Sequence, residues 1–206
     1  MPQRLVTIAG VGAIGSHLVQ LIRNVDADLR VIDFDRVDQG NVASQFHGKP
    51  SVGKNKAVAL VQTMDFMFKR QRIEAIPNRL TQDNVKALLA STRKGLSEPV
   101  YDHLVVDALD NGSSRRILQD HVRAHDIPCL HGGLAAGGLY ARVMWDRDFV
   151  IDDEPATGAA TVPCEGGNFL PMIAITAAFM AQSICTFIET GKCIGYSISP
   201  TGVTRV

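Results

Sequence analysis

Residues 4–22 read RLVTIAGVGAIGSHLVQLI, and the fold follows from how this stretch divides. RLVTIAG (4–10) is a short apolar run that stops on glycine, as a buried strand does. SHLVQLIRNV (16–25) takes over with apolar residues at helical spacing. Between them Gly10-Val11-Gly12-Ala13-Ile14-Gly15 spells G-x-G-x-x-G. A strand, a glycine turn and a helix in that order present free N–H groups and a positive dipole at the helix start, which suits a phosphate. Gly10 allows the tight turn, Gly12 lets a phosphate approach the backbone, and Gly15 lets the helix pack against the strand. Alone, the motif says nucleotide and no more.

Strand and helix signals keep alternating beyond this unit. LRVIDFD (29–35) reads as a second strand, and GKNKAVALVQTMDFMF (53–68) places Ala57, Leu60, Val61 and Met64 on one helical face. RIEAIPN (72–78), HLVVDAL (103–109) and IPCLHG (127–132) read as further strands, with helices expected over 82–91 and 111–126. Such alternation implies an α/β, Rossmann-like, mainly parallel sheet with helices on both faces. GLYARVMWD (138–146) then reads as an antiparallel strand and CIGYSISP (193–200) as the closing one, giving a few antiparallel C-terminal strands. A single domain over 1–206 is expected, with a nucleotide-binding βαβ core at 1–133. The remainder, 134–206, holds the C-terminal strands, a flexible polar crossover loop near 147–163 and a long buried helix.

Bulk composition narrows the function classes. The 206 residues are 46% hydrophobic and 20% charged, with 21 Lys+Arg against 21 Asp+Glu. A formal charge of zero offers no basic excess for nucleic acid and no acidic tail. The cysteines, Cys129, Cys164, Cys185 and Cys193, form no CxxC pair and match no zinc spacing. No structural zinc is therefore expected, and a reducing cytoplasm is the simplest compartment. Cys129 and Cys185 read as core residues. FLPMIAITAAFMAQSICTFI (169–188) has the length of a membrane span, but Gln182 and Ser183 lie inside it and no basic cluster precedes it. A helix fully buried in an α/β core is expected there, with no membrane contact.

Several polar residues carry the chemistry. Asp33, at the end of the second strand, stands where a carboxylate accepts ribose hydroxyls. The chain runs on through VIDFDRVDQGNVASQF (31–46), and a dinucleotide site has no need of Asn41 and Gln45. Their spacing brings them back over a ligand larger than a ribose. Lys56 opens the next helix, where the dipole disfavours a cation, so a polyphosphate explains it better than helix stability; a solvated surface lysine is the alternative. Asp110 leaves the fourth strand at the carboxyl edge where such sheets bind ligands. A carboxylate facing a triphosphate needs a divalent cation between them, so Asp110 suggests Mg²⁺. The alternative is a helix cap, for which Asp110 and Asn111 compete. Tyr140, Tyr196 and His131 lack the nearby partner that a hydride relay needs, so a nicotinamide oxidoreductase finds no support and His131 reads as structural.

In this order and at these distances GVGAIG, DFDxVxxxNxxxQ, VGxxK and VDxxDN resemble the ThiF/MoeB and ubiquitin-activating-enzyme superfamily over nearly the whole chain. The resemblance implies an adenylyltransferase that binds ATP and Mg²⁺ and adenylates the C-terminal glycine of a small ubiquitin-like or sulfur-carrier protein. It also implies a homodimer or pseudo-dimer. Carried over by position, Gly10, Gly12, Ala13 and Gly15 line the nucleotide, Asp33 holds the ribose, Lys56 the phosphates, and Asp110 the metal. Asp35, Asn41, Ser44, Gln45, Leu109 and Asn111 fall in the matching nucleotide-binding segments. Cys164, in VPCEGGNFLP, matches a reactive cysteine that receives the activated partner, a partly buried structural cysteine being the alternative. The implied reaction is in-line attack by a carboxylate on the α-phosphorus, catalysed by positioning and charge neutralisation.

Three departures accompany the resemblance. Ser44 stands where the family's NxxRQ segment has an arginine for the terminal phosphates, and serine neutralises no charge. Only nine residues precede Gly10, against a family extension whose arginine enters the partner's site. The two CxxC zinc pairs of many bacterial members are missing. The likeness is thus to a minimal, divergent bacterial-type member. A catalytically degenerate nucleotide-binding subunit is the leading alternative, ahead of an NAD-dependent oxidoreductase.

Overall fold

Short apolar runs settle into parallel strands: β1 (Arg4–Ala9), β2 (Asp28–Ile32), β3 (Ile73–Ile76), β4 (Asp102–Asp107) and β5 (Cys129–Leu134). Helices α1 (Ala13–Leu21), α2 (Lys56–Phe68), α3 (Val85–Leu88) and α4 (Gly112–Ala124) connect them. The computed structural model describes residues 4–69, 72–91, 102–135, 137–151, 167 and 169–206. Antiparallel strands β6 (Ala141–Trp145), β7 (Tyr196–Ser199) and β8 (Gly202–Arg205) follow, with helix α5 (Leu170–Thr190) between β6 and β7. The strands form one eight-stranded sheet in the order β3-β2-β1-β4-β5-β6-β7-β8.

Successive side chains on a strand point to opposite faces, and here both faces are apolar. Val6 and Ile8 of β1, with Leu104 and Val106 of β4, pack with residues of α1, α2 and α5 on one side. Ala9 and Val105 pack with residues of α3 and α4 on the other. The sheet is therefore Rossmann-like, mainly parallel and covered on both faces.

Four details differ from the sequence expectation. The helix expected over 82–91 shrinks to the four residues of α3, because a turn ahead of it is held by Asn84 Oδ1 accepting from Thr81 N at 2.9 Å. The strand around Tyr196 does not close the chain: a turn at Pro200 and Thr201 leads back into β8, whose residues are all exposed and carry no alternating pattern. Helix α5 is not fully buried. It lies over β5 and β6 beside α1, so one stripe containing Ile173, Ala177, Met180 and Ile184 is covered, while Ile175 and Gln182 are exposed. Its length and apolarity would suit a membrane span, yet that stripe is spent on the sheet. Cys129 is buried as expected, but Cys185, off the covered stripe, is only half-buried. Of the expected crossover loop, 147–151 is described and begins with a 3-10 turn, Asp146–Asp148; residues 152–163 lie outside the described residues.

Candidate functional site

From the ends of β1 and β4 the chain departs to opposite faces of the sheet, and such a divergence opens the crevice where α/β sheets bind ligands. Gly10 must be glycine here: its φ is +88°, and a Cβ would stand 2.7 Å from the Ala108 carbonyl oxygen. Gly15 brings α1 against the turn, where a Cβ would meet the Gly10 oxygen at 2.0 Å. Gly12 is different. Among the described residues a Cβ there would meet only the Gln45 amide nitrogen, at 3.9 Å, so their packing leaves the space above it open. Gly12 and Ala13 begin α1 without any side-chain cap, and the Gly12 N–H has no acceptor among the described residues.

Asp33 fastens the turn to β2. Its Oδ2 accepts from Val11 N at 2.8 Å and its Oδ1 from Asp35 N at 2.9 Å. Burial pushes its pKa up against the pull of these two bonds and of Lys56. Each oxygen retains a lone pair for a ligand hydroxyl. Asn55 locks the start of α2 to the same strand end: its Nδ2 donates to the Asp33 and Asp35 carbonyls at 2.9 and 3.1 Å, and its Oδ1 caps Val58 N. Lys56 is consequently buried rather than a solvated surface lysine, and its Nζ meets Asp35 Oδ2 at 3.4 Å.

The segment after β2 folds back over the glycine turn. Asn41 is buried with Oδ1 accepting from Asp38 N at 2.9 Å, so it shapes the 3-10 turn Gln39–Ala43. The Ser44 carbonyl faces His17 Nε2 at 3.0 Å, and the Ser16 hydroxyl accepts from Phe46 N at 2.9 Å. Gln45 lies beside Gly12, and its Oε1 is buried with no hydrogen-bond partner among the described residues. A buried acceptor left unsatisfied costs roughly 1–3 kcal/mol, so this oxygen is a candidate contact for a ligand.

Across the crevice, Asn111 takes the capping role for α4, with Oδ1 accepting from Ser114 N at 2.9 Å. Asp110 is exposed, and among the described residues its one contact is a long one of 3.4 Å from Asn111 Nδ2. Its carboxylate is thereby free for a ligand. Among the described residues no three His, Cys, Asp or Glu side chains cluster as a metal site. Mg²⁺ shared between one carboxylate and substrate phosphates needs no such cluster, and Asp110 fits that donor set.

Sequence reasoning missed what holds this loop. Asp107 is fully buried; its Oδ1 accepts from Leu109 N at 3.0 Å, and its Oδ2 meets Arg115 at 3.1 Å and His131 Nδ1 at 2.8 Å. Arg115 also donates to the Leu109 carbonyl and, at 2.7 Å, to that of Gly132. His131, without a partner nearby in sequence, has two in space: its Nε2 reaches Asp146 at 3.2 Å. Burial alone would raise the Asp146 pKa, but hydrogen bonds from Arg123 and Gln119, with His131 nearby, bring it below the usual range. With both nitrogens engaged and Phe149 stacked 4.2 Å away, the His131 ring is closed to substrate and structural. These partners lie 15 and 24 residues distant, and no local pattern announces them. His47 was likewise passed over; it reaches back to Val11 at 3.0 Å. Cys164 lies outside the described residues.

A family model described as the ThiF family matches residues 3–200. The chain is similar to the sulfur carrier protein adenylyltransferase of Thermus thermophilus, 29% identical over 209 residues that cover 91% of this chain and 70% of that protein. It is also similar to the SAMP-activating enzyme E1 of Haloferax volcanii, 28% identical over 131 residues, covering 63% of this chain and 45% of that one. The chain thus spans under half of the Haloferax protein. Among solved structures, E. coli MccB superposes with a TM-score of 0.73 at 15% identity, covering 98% of this chain and 60% of its own. PaaA does so with a TM-score of 0.69 at 17% identity, covering 100% and 64%. At those identities the superpositions speak for the fold.

Proposed function

This chain belongs to the ThiF family, and on that basis we propose that it adenylates the C-terminal carboxylate of a small ubiquitin-like or sulfur-carrier protein, using ATP and Mg²⁺. The observation that carries this is the exposed Asp110 carboxylate, unengaged among the described residues but for one long contact, across the crevice from the Gly12 turn. Two relatives with such names, a sulfur carrier adenylyltransferase and a SAMP-activating enzyme, support the reaction class. A neighbour of the same fold, MccB, has been solved with ATP.

Asp33 accepts the ribose hydroxyls, and the Gly12 and Ala13 amides face the phosphates beside Gln45. Lys56 exchanges Asp35 for phosphate oxygens; Asp35, with a side chain 43% exposed, can turn to solvent. Asp110 holds Mg²⁺, which when bound neutralises phosphate charge. A carrier carboxylate oxygen forms a bond to the α-phosphorus, the bond to the bridging oxygen breaks, and pyrophosphate leaves. No proton moves, because the carboxylate is already ionised, so the chain's work is positioning and charge compensation. Cys164 thiolate then attacks the acyl carbon, AMP leaves and a thioester forms. The chain acts in the cytoplasm as a homodimer or pseudo-dimer.

Ser44 favours a second reading, a nucleotide-binding subunit that does not adenylate. It is buried where the family carries an arginine and brings no charge to the phosphates. Thermal unfolding with ATP and Mg²⁺, ATP with EDTA, and NAD separates the cases. Ligand at about a hundred times its dissociation constant adds roughly 2.7 kcal/mol, a rise of about 5–10 °C for a chain of this size. A magnesium-dependent rise with ATP, lost in Asp110→Ala without loss of the unliganded Tm, is expected. A rise with NAD alone overturns adenylation. Binding of ATP without pyrophosphate exchange, given a carrier ending in glycine, favours the silent subunit.

A further inference from the structure

The glycine turn is gripped at Val11 from two directions. Asp33 Oδ2 accepts from the Val11 amide at 2.8 Å. His47 Nε2 lies 3.0 Å from the Val11 carbonyl oxygen. Since a carbonyl only accepts, that nitrogen carries the hydrogen, which leaves Nδ1 as the bare acceptor of the neutral ring. His47 is 3% exposed, and its Nδ1 has no hydrogen-bond partner among the described residues. Burial, reinforced by the Lys56 and His17 charges, lowers its pKa, so the ring is neutral at physiological pH.

This grip determines a direction. The Val11–Gly12 peptide is trans, so the Val11 C=O and the Gly12 N–H lie in one rigid plane and point in opposite directions. With the carbonyl turned inward to His47, the Gly12 N–H is turned away from it. Among the described residues that N–H has no acceptor, and the space above Gly12 holds no atom nearer than the Gln45 amide. Rotation of the plane would bury the N–H and strand the carbonyl, which is what the His47 bond prevents.

We infer that His47 is a positioning residue for phosphate binding: its Nε2–H bond to the Val11 carbonyl holds the Gly12 amide toward the nucleotide phosphates. The inference rests on the adenylation proposed above. It gives the buried histidine a task that Ser44 makes more important, since with no arginine there the fixed backbone donors carry a larger share of the phosphate contact.

The test uses the full chain, ATP·Mg²⁺ titrated by calorimetry, and the Gly12 amide followed in ¹H–¹⁵N spectra. In the wild type the Gly12 resonance should shift on addition of ATP·Mg²⁺. His47→Phe keeps the ring and removes the donor, and is expected to weaken ATP about tenfold and abolish the shift. His47→Gln restores an N–H at a similar reach and should recover most of the affinity. Two outcomes overturn the inference while leaving adenylation standing: ATP binding by the wild type without any Gly12 response, or a folded His47→Phe protein that binds ATP as tightly as the wild type. The first needs no variant, so a His47→Phe chain that fails to fold leaves the test intact. A wild type that binds no ATP sinks adenylation itself, and this inference with it.

Discussion

Three glycines in one turn answer to different forces, and substitution should separate them. At Gly15 a methyl group would stand 2.0 Å from a backbone oxygen, which no side-chain rotation relieves. Overpacking of that kind costs about 3 kcal/mol or more, so Gly15→Ala should lower Tm by roughly 6–12 °C. At Gly12 a methyl group would touch only the end of Gln45, so Gly12→Ala should melt within about 2 °C of the wild type. Its effect should appear instead in the ATP titration, where the methyl occupies space meant for phosphate. Equal losses of Tm in the two variants would mean that Gly12 serves the fold and not a ligand. The motif residues were legible because their types are imposed locally, by a turn, a close approach or a helix start. Asp107, Arg115 and His47 were not, since their partners are brought together only by the finished sheet and an Asp or Arg in a sequence does not say what it faces.

Two helices beside the crevice, α2 and α4, start on asparagine caps of unequal reach. Asn111 supplies α4 with one backbone cap and accepts from the Ser113 hydroxyl. Asn55 supplies α2 with its cap and also ties two carbonyls at the end of β2. Loss of an ordinary cap costs about 1 kcal/mol, and each further hydrogen bond adds about 1 kcal/mol when its partner is left buried. Asn55→Ala should therefore destabilise by about 2–3 kcal/mol against about 1 kcal/mol for Asn111→Ala, measured by urea unfolding. An Asn111→Ala protein as unstable as Asn55→Ala would show that the carbonyl ties contribute nothing. Elements with strong periodicity, β1, α1, β4 and α5, could be read directly from the chain. Those decided by turn chemistry or an exposed edge, α3 and β8, could not, because Asn84 takes backbone from a helical pattern and β8 buries no face to pattern.

Taken as a whole, the chain joins segments far apart: β1 pairs with β4 across about a hundred residues, and the strand order cannot be deduced from any local run. One consequence of that pairing is a half-buried histidine on β4. His103 Nε2 lies 2.9 Å from Thr7 Oγ1, and burial first, then Arg30 and His121, lowers its pKa to about 4. Burial also lowers His47 and His121. Each of these rings takes up a proton more readily when the chain unfolds, so the stability they confer is complete above about pH 6.5 and is lost as pH falls below it, for His103 down to about 4. For His103 alone the window amounts to about 3 kcal/mol. Asp33 cannot produce this loss, because its raised pKa adds stability as the carboxyl gains its proton. Asp146, with a lowered pKa, gives up its share only below about pH 4. Urea midpoints should accordingly hold level from pH 8 to 7 and fall between 6.5 and 4.5, with the fall clearly reduced in His103→Asn, which does not titrate. A His103→Asn protein that loses as much stability over that interval as the wild type would place the acid sensitivity on the other histidines.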